Sequence, residues 1–461
     1  MASSEKRYNN TFDVIVIGAG AAGIACMAEL LRRGYKNILC LEALNEPGGR
    51  VKFNKKFGDI GGMCLHLPEK FHNLENLQKE FWGAAELVIF AEKNGFKLWR
   101  ENNKQKFRLY RNGQKIKEGE VNRAISLIES AIESAFNKIS RKELQPDISL
   151  QDALSDLVKD DICRTLISTI FSSTDTGLDA ADISFLDYFH TLSSTPGLFP
   201  EDGMGVLLKA YARSLKNFIS LNKEVTSVRN EDGLCSITYM DTATGNFFKA
   251  CAHKLVITVS VGVLQSWIKE NKIILSKEKI TLINNIKMGH LNKNILIMDE
   301  LFFTDNNIGS FTHINIRSNR LNGEANFLAL KMHDKCFLIN FVGGRKSLLY
   351  EKNGLAYARN DSLRILASVF GKDVYTFCID SYLSQWSKNK YFYGSYSAAT
   401  KDNFNSRMEL SKPLDRDIYK AGEEVHYSED EFSFHTHISG ALHSGFIAAN
   451  QVIRALESGN A

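Results

Sequence analysis

A glycine-rich turn between a buried strand and a helix, within the first 45 residues, constrains this chain most. Residues 13–17 form a continuous apolar run, typical of a parallel strand that is covered on both faces. A helix-compatible run then ends near Gly34, and a second apolar run at 37–41 is followed at once by the acid Glu42. The turn itself has the G-x-G-x-x-G spacing and consists of small residues, among them Gly18, Gly20, Ala22 and Gly23. This order predicts a βαβ unit, the opening of a doubly wound α/β fold.

Each part of this unit has a physical reason to hold a dinucleotide. Gly18 permits the tight turn, Gly20 lets the backbone approach a pyrophosphate, and Gly23 allows close packing of the helix. The N-terminus of the helix supplies N–H groups and a positive dipole to phosphates. Glu42, 24 residues after Gly18, can accept hydrogen bonds from ribose hydroxyls. An isolated G-x-G-x-x-G is a weak signal, but together with the strands, the helix and the spaced acid it predicts a dinucleotide site.

Composition excludes several classes of protein without identifying a ligand. The chain has 461 residues, with 57 Lys and Arg against 53 Asp and Glu, which gives a formal charge of +4. This surplus is too small to predict nucleic-acid binding. The longest apolar run, residues 255–264, is far shorter than the roughly 20 residues of a membrane span, and we expect a buried strand there. Neither nucleic acid nor a membrane is therefore expected as a partner.

The amino terminus and the cysteines favour a reducing compartment. No charged segment followed by an apolar leader precedes the first strand, so no secretory signal is visible and a cytoplasmic protein is expected. Eight cysteines are scattered along the chain, without a C-x-x-C pair or a histidine at metal-ligand spacing. We expect them to be small buried hydrophobic residues, and we predict neither disulfides nor a metal site.

The periodicity changes several times along the chain, which predicts that it weaves between two domains. Residues 70–200 are rich in helical periodicity, with apolar residues three and four apart at 120–139. Residues 200–270 show the pattern of strands joined by turns. Residues 273–380 mix both patterns, and no internal repeat is visible.

The segment after Glu42 makes a resemblance to one family specific. Residues 47–49 are a plain turn on their own, but Arg50 after them offers a fixed cation on the far side of the same pyrophosphate. The stretch DVIVIGAGAAGIAC, with LEALNEPGGRV after it, resembles the FAD-binding amino terminus of the flavin amine oxidase family. That family includes polyamine oxidases, monoamine oxidases and histone lysine demethylases. The resemblance implies the amine oxidase fold, in which a Rossmann-like FAD-binding domain is interleaved with an α+β substrate-binding domain.

The resemblance gives these two domains bounds. It implies an FAD-binding domain at 1–70, 200–270 and 381–461, and a substrate-binding domain at 71–199 and 271–380. Further motifs of the family cover essentially the whole chain: residues 59–66 (DIGGMCLH), 200–204 (PEDGM), 221–225 (LNKEV), 256–264 (VITVSVGVL), 386–397, and 421–423 with 437–445.

Several residues are implied to touch FAD by their places in these motifs. The helix after His437 presents backbone N–H groups to the flavin O2 edge, where negative charge grows as the flavin is reduced. Glu423 lies beside the ribityl phosphate chain, and we expect it to hydrogen-bond the ribityl group or water. Ser395 stands where monoamine oxidases carry the flavin-linked cysteine, which implies non-covalent FAD. Beyond the first βαβ unit, the implied cofactor residues are Gly49, Arg50, Val225, Trp386, Gly422, Glu423 and Ile438.

Lys293 is the sharpest catalytic candidate. Residues 289–295 (GHLNKNI) resemble the family segment G-x-x-x-K-I-F, whose lysine holds a water against flavin N5 and assists reoxidation by O2. From the residues alone, a lysine just before an apolar strand is more often a solvated strand end. The surrounding match favours the functional interpretation.

Aromatic and histidine side chains are expected to form the wall of the substrate site. Tyr396 aligns with one of two residues that guide an amine toward the flavin, and His437 takes the place of the other. His437 can orient or deprotonate an amine, or it can merely cap the following helix. His66 matches the histidine that faces the substrate channel in polyamine oxidases. Cys64, where tryptophan is usual, changes the channel wall and leaves the substrate open.

The implied reaction is FAD-dependent oxidation of a polyamine (spermine, spermidine or an acetylated form) at a secondary amine. The product imine is hydrolysed to an amine and an aldehyde, and O2 is reduced to hydrogen peroxide. Polyamines need acids along the channel, and Asp182 and Asp187 are candidates, although acids on such a helix are usually solvated. Two alternatives stay open: an oxidase or dehydrogenase of another amine or amino acid, and a catalytically weakened flavin-binding interaction protein. The expected partners are a small amine and O2, and the expected assembly is a monomer or homodimer.

Overall fold

Two seven-stranded sheets organise the part of the chain that the computed structural model describes. The described residues are 11–67, 81–100, 106–142, 147–191, 197–231, 233–321, 323–332, 334–425 and 434–459.

The first sheet is built around the strand Thr11–Ile17, which pairs in parallel with Ile38–Leu41 on one side and with Phe247–Ile257 on the other. The helix Ala21–Arg32 connects the first two of these strands. The predicted βαβ unit is therefore present. In spatial order the strands are Ile219–Ser220, Ile38–Leu41, Thr11–Ile17, Phe247–Ile257, Leu234–Asp241 and Lys223–Glu231, and Ile418–Lys420 also pairs with Phe247–Ile257.

Both faces of this sheet are covered. Val14 and Val16 pack into one core, together with side chains of the helices Ala21–Arg32 and Ile438–Glu457. Ile15 and Ile17 point the other way, into a second core. Because successive residues of a strand face opposite sides, a strand covered on both faces is apolar throughout.

The second sheet is antiparallel except where Thr312–Ser318 pairs with Lys106–Arg111. Its strands, in spatial order, are Cys378–Leu383, Asn292–Met298, Lys335–Val342, Gly323–Met332, Thr312–Ser318, Lys106–Arg111 and Gln114–Lys115. The strands of the first sheet and of the second alternate along the sequence, so the chain passes from one sheet to the other and back. The numerical domain bounds themselves stay a prediction.

Helices and short strand pairs fill the space around the two sheets. The other helices are Trp82–Lys93, Glu118–Ser140, Leu150–Ala153, Asp161–Thr169, Phe185–Thr191, Met204–Arg213, Val261–Lys269, Lys277–Asn285, Glu300–Asp305, Gly344–Phe370, Val374–Phe377 and Ser406–Ser411. Short turns of 3₁₀ helix are Leu157–Lys159, Ala180–Asp182 and Glu423–Val425, and Ile170–Thr174 is a π-helical turn. The short paired strands are Phe53–Asn54, Gly58–Asp59, Leu65–His66, Leu98–Arg100, Gly197–Pro200, Ile286–Met288 and Ser397–Ala399. In the described residues, no helix is both long enough and apolar enough to cross a membrane.

The prediction of a buried strand at residues 255–264 is wrong for the second half of this segment. The strand Phe247–Ile257 ends, and the helix Val261–Lys269 begins after three intervening residues. Ser260 caps this helix, because its hydroxyl accepts a hydrogen bond from the Val263 N–H at 3.3 Å. Serine is a preferred N-cap residue, so the signal was present, but an uninterrupted apolar run concealed it.

Candidate active site

One large cavity, of about 1260 Å³, joins the two sheets. It begins at the carboxyl end of the strand Thr11–Ile17, where ligands of open α/β sheets bind. It ends against side chains of the second sheet and reaches Asn122 and Glu129, exposed residues of the helix Glu118–Ser140. Its described lining includes most of the residues predicted from sequence: Gly18, Gly20, Ala22, Glu42, Gly49, Arg50, His66, Val225, Lys293, Trp386, Tyr396, Gly422, Glu423, His437 and Ile438.

The glycine turn at one end of the cavity leaves room for a phosphate. Gly18 has φ +102°, and a Cβ there would lie 2.6 Å from the Thr258 hydroxyl. A Cβ on Gly20 would meet no protein atom within 4 Å, and a Cβ on Gly23 would lie 1.9 Å from the Gly18 carbonyl. The helix that begins at Ala21 has no side-chain cap and no acid in its first turn. Its first N–H groups are therefore suited to an anion.

Glu42 is fixed by the backbone at the end of its strand. Its carboxylate accepts hydrogen bonds from the Ala19 N–H at 2.6 Å and the Leu44 N–H at 2.9 Å. Burial raises the pKa of Glu42, and these backbone hydrogen bonds oppose that shift. The side chain is thus held in one orientation at the cavity wall.

Arg50 and Glu423 form a partly buried ion pair in the wall of the cavity. Arg50 Nη1 lies 3.0 Å from Glu423 Oε1 and also donates to the Ser395 carbonyl at 2.8 Å. The second carboxylate oxygen of Glu423 accepts from the Ser397 hydroxyl at 2.7 Å and from the Thr436 N–H at 3.1 Å. Burial alone raises the pKa of Glu423, but nearby arginine charges outweigh it and the net shift is downward. Glu423 is therefore ionised and holds Arg50 in place.

Lys293 is buried, and its ammonium group is tied to one short stretch of backbone. Its Nζ donates to the Asp59 carbonyl at 2.9 Å and to the Gly61 carbonyl at 2.6 Å, and it lies 3.4 Å from Met63 Sδ. Burial lowers the pKa of Lys293 to about 8, although the Asp59 carboxylate opposes the shift. A solvated strand end would have neither the burial nor these partners.

His66, His437 and Tyr396 lie around the same part of the cavity. The His66 and His437 rings meet edge to face, with centroids 4.7 Å apart. Burial and the neighbouring His66 lower the pKa of His437 to about 3, so it is neutral. His437 Nδ1 lies 2.8 Å from the His435 carbonyl, which puts the ring proton on Nδ1. Its side chain makes no hydrogen bond to the first turn of the helix, so His437 is not a side-chain cap.

Asp175 is a cavity residue that the sequence did not reveal. It follows the π-helical turn Ile170–Thr174, and its carboxylate accepts a hydrogen bond from the Tyr188 hydroxyl at 3.0 Å. Burial raises the pKa of Asp175 from 3.8 to about 7, against the effects of Tyr188 and His66. The segment SSTDTG reads as an ordinary polar loop. No periodic pattern predicts a π-helical turn, although such turns are frequent at functional sites.

The two acids that the sequence offered for the substrate channel are elsewhere. Asp182 is half exposed and lies 3.8 Å from Arg345, outside the cavity. Asp187 is buried in an ion pair with Arg407, whose guanidinium nitrogens lie 2.5 and 3.0 Å from the carboxylate oxygens. This carboxylate is fully occupied and does not line the cavity, so the proposed substrate role of both acids is wrong.

The cysteines mostly behave as expected. All eight are free thiols, and seven of them are buried. Cys64 alone is partly exposed; it lines the cavity, with Sγ 3.4 Å from His66 Nε2. In the described part of the chain, no group of three or more His, Cys, Asp and Glu residues is arranged to hold a metal ion.

Comparison with known proteins identifies the family. A sequence model described as flavin containing amine oxidoreductase matches residues 21–453, and the chain belongs to this family. The chain is 22% identical to an L-amino-acid oxidase of Daboia russelii, over 98% of this chain and 91% of that protein. It is 24% identical to polyamine oxidase 5 of Oryza sativa subsp. japonica, over 96% of this chain and 88% of that protein. Because these relatives carry different substrate names, family membership does not select the substrate.

Solved structures confirm the predicted fold class. The structure of cyclohexylamine oxidase from Brevibacterium oxydans IH-35A superposes with a TM-score of 0.76 at 16% identity, over 97% of this chain and all of that one (100%). The fold is therefore the amine oxidase fold.

The cofactor of the protein is FAD. The residues fit it: the cavity offers an uncapped helix N-terminus, open space beside Gly20 and a fixed carboxylate at Glu42. Ser395, which the resemblance places where monoamine oxidases carry the flavin-linked cysteine, has a hydroxyl that donates to the Gly289 carbonyl at 3.0 Å, and non-covalent attachment stays a prediction.

Proposed function

We propose that this flavin-dependent amine oxidoreductase oxidises a polyamine, such as spermine, spermidine or an acetylated form, at a secondary amine. The observation that carries the proposal is Asp175, a partly buried carboxyl group in the wall of the cavity, whose pKa burial raises to about 7. A carboxylate in such a place is a partner for a substrate ammonium group, because buried charges are stable only when they are paired.

The other charges of the cavity support an amine over an amino acid. An amino acid substrate presents a carboxylate, which is usually bound by an arginine or lysine that is not already paired with a carboxylate of the protein. Within the described lining, four of the five Lys and Arg side chains are paired with a carboxylate: Arg50 with Glu423, Lys223 with Asp241, Lys272 with Glu270, and Lys390 with Glu224. The fifth, Lys293, is held by backbone carbonyls, and we assign it to the reaction with O2. Glu129, at the exposed end of the cavity, adds a second negative charge along the same route.

Bound FAD supplies the two-electron acceptor for amine oxidation. The amine loses two electrons and two protons to give an imine, water hydrolyses the imine to an aldehyde and a shorter amine, and O2 takes up the electrons and protons as hydrogen peroxide. His437 is neutral with its proton on Nδ1, so its Nε2 accepts a hydrogen bond from the substrate N–H and orients it. His437 does not store the proton, because a pKa of about 3 makes it too weak a base.

Two further residues have roles in this account. The Tyr396 hydroxyl donates to the Thr174 carbonyl, so its ring is a fixed wall of the substrate site. Lys293 keeps its ammonium group near neutral pH, donates to two backbone carbonyls, and has only the weak acceptor Met63 Sδ as its third partner. It is therefore suited to hold a water molecule and to stabilise negative charge as O2 is reduced.

The test is a substrate panel on the purified holoenzyme, read as peroxide release. We expect spermine, spermidine or an acetylated polyamine to give the highest kcat/KM, ahead of monoamines and L-amino acids. The Asp175→Asn variant should raise KM for these polyamines, and Asp182→Asn, an acid outside the cavity, serves as the matched control. Turnover of L-amino acids with none of the polyamines would reject the proposal.

A further inference from the structure

A second cavity, of about 210 Å³, lies behind one wall of the main cavity. Met63 and Phe199 line both cavities, so they form the shared wall. On the far side of this wall, Lys293 Nζ lies 3.4 Å from Met63 Sδ and 2.9 Å from the carbonyl of Asp59, which also lines the second cavity. The stretch 59–63 therefore lines the second cavity, through Asp59 and Met63, and also holds the Lys293 ammonium group.

The walls of the second cavity suit a small apolar molecule. Trp99 stacks on Phe199 with centroids 4.6 Å apart, and Phe311 meets Trp99 edge to face at 4.5 Å. Further apolar side chains complete the lining, among them Phe57, Leu330, Met332, Phe337 and Ile339. Apolar cavities of about this size bind small apolar molecules such as xenon.

The polar residues that line the second cavity are compatible with the binding of an apolar molecule. The carboxylate oxygens of Asp59 are already occupied, because they accept from the Met204 N–H at 2.8 Å and the Gly205 N–H at 2.9 Å. Glu201 and Lys331 are exposed residues. They mark the part of the cavity that reaches the surface.

We propose that the second cavity is a dioxygen site and the route by which O2 reaches Lys293. The inference rests on the proposed function, in which O2 accepts two electrons and two protons from reduced FAD and leaves as hydrogen peroxide. A polyamine in the main cavity would occupy the route past Glu129. A separate apolar passage that ends at Met63 gives O2 access to Lys293 whether or not the substrate or its product is bound.

The first test needs no catalysis. Crystals of the holoenzyme under xenon pressure should show xenon in the second cavity, between Met63 and Leu330. Absence of xenon there would overturn the proposal.

The second test narrows the passage at a residue outside the main cavity. Met332→Trp fills the cavity near its surface end, and Met332→Leu is the matched control, since it keeps the volume. We expect the second-order rate constant for reoxidation of dithionite-reduced holoenzyme by O2 to fall about tenfold in the tryptophan variant and to stay unchanged in the leucine variant. Leu330→Phe, with Leu330→Met as its control, repeats the test deeper in the cavity if the tryptophan variant folds poorly.

Anaerobic reduction of the flavin by spermine should be the same in all of these proteins. Unchanged reoxidation in the tryptophan and phenylalanine variants, or an equal fall in their controls, would overturn the proposal. If no amine reduces the flavin, the proposed function fails. The dithionite-reduced enzyme and the xenon experiment still decide whether the cavity is a dioxygen route.

Discussion

The substitution Asp175→Asn tests whether this carboxyl group binds a ligand or stabilises the fold. Asparagine has almost the same shape, and its carbonyl oxygen can still accept the hydrogen bond that the Tyr188 hydroxyl donates at 3.0 Å. The substitution therefore removes the negative charge and changes little else.

The expected gain in stability follows from the pKa of Asp175. Burial raises this pKa from 3.8 to about 7, about three pH units at about 1.4 kcal/mol each. Ionisation of Asp175 thus lowers the free energy of unfolding of the substrate-free protein by about 4 kcal/mol above pH 7. The cost is absent below pH 3.8, where the group is protonated in both states, and grows as the pH rises toward 7. In urea unfolding of the holoenzyme, we expect the variant to be more stable than wild type at about pH 8, by up to about 4 kcal/mol, and to lose this advantage toward about pH 4.

The same substitution should weaken the reaction with polyamines. A buried charge-assisted pair between Asp175 and a substrate ammonium group contributes about 2 kcal/mol, which corresponds to about 30-fold in kcat/KM. The deficit should be largest above pH 7 and should narrow below it, where the wild-type carboxyl group is itself protonated. Asp182→Asn should change neither property. An Asp175→Asn protein that loses stability at pH 8, or that oxidises spermine as well as wild type, would refute this account of the site.

Three further predictions concern the remaining parts of the site. Lys293→Met should slow reoxidation by O2 at least about tenfold in stopped-flow mixing and leave anaerobic reduction unchanged. The rate of reoxidation of the wild-type enzyme should fall as the pH rises through about 8, because Lys293 loses its proton there. The same pH-dependent fall in the methionine variant would show that Lys293 does not have this role. Asp187→Asn should destabilise the protein by about 3–5 kcal/mol in thermal or urea unfolding, because it leaves the fully buried Arg407 without its carboxylate. A loss of stability no larger than that of Asp182→Asn would contradict the structural role of the Asp187–Arg407 ion pair. Burial alone raises the pKa of Asp187, but Arg407 and His435 hold it at about 2, so this contribution is present above pH 3.8 and is lost as the pH falls toward 2. Gly20→Ala should fold like wild type by circular dichroism, since a Cβ there meets no protein atom within 4 Å, but it should lose most of its flavin absorbance. Normal flavin content would show that Gly20 does not face the cofactor.

The parts of the molecule that the sequence predicted are those set by local pattern. The strand Thr11–Ile17, the glycine turn and the helix Ala21–Arg32 follow from residues close together in the chain, and the structure has all three. The helix Val261–Lys269 was missed because its first residues are β-branched and apolar, and only the cap at Ser260 distinguishes it from a strand.

The substrate end of the cavity depends on contacts between distant residues, which a single sequence does not reveal. Asp175 acquires its raised pKa from burial, which the Tyr188 hydroxyl only partly offsets, and it follows an irregular helical turn that no periodicity predicts. Asp187 was assigned to the channel from its place in a helix, but Arg407, 220 residues further along, occupies it completely. Whether an acid is free or paired is decided by tertiary structure.

The most direct test of the account is anaerobic mixing of the holoenzyme with single substrates while the visible band of oxidised flavin is followed. We expect spermine, spermidine or an acetylated polyamine to bleach the flavin, and we expect slower bleaching of the Asp175→Asn variant at the same concentration. L-amino acids should leave the flavin oxidised. Bleaching by an L-amino acid and by none of the polyamines would contradict it.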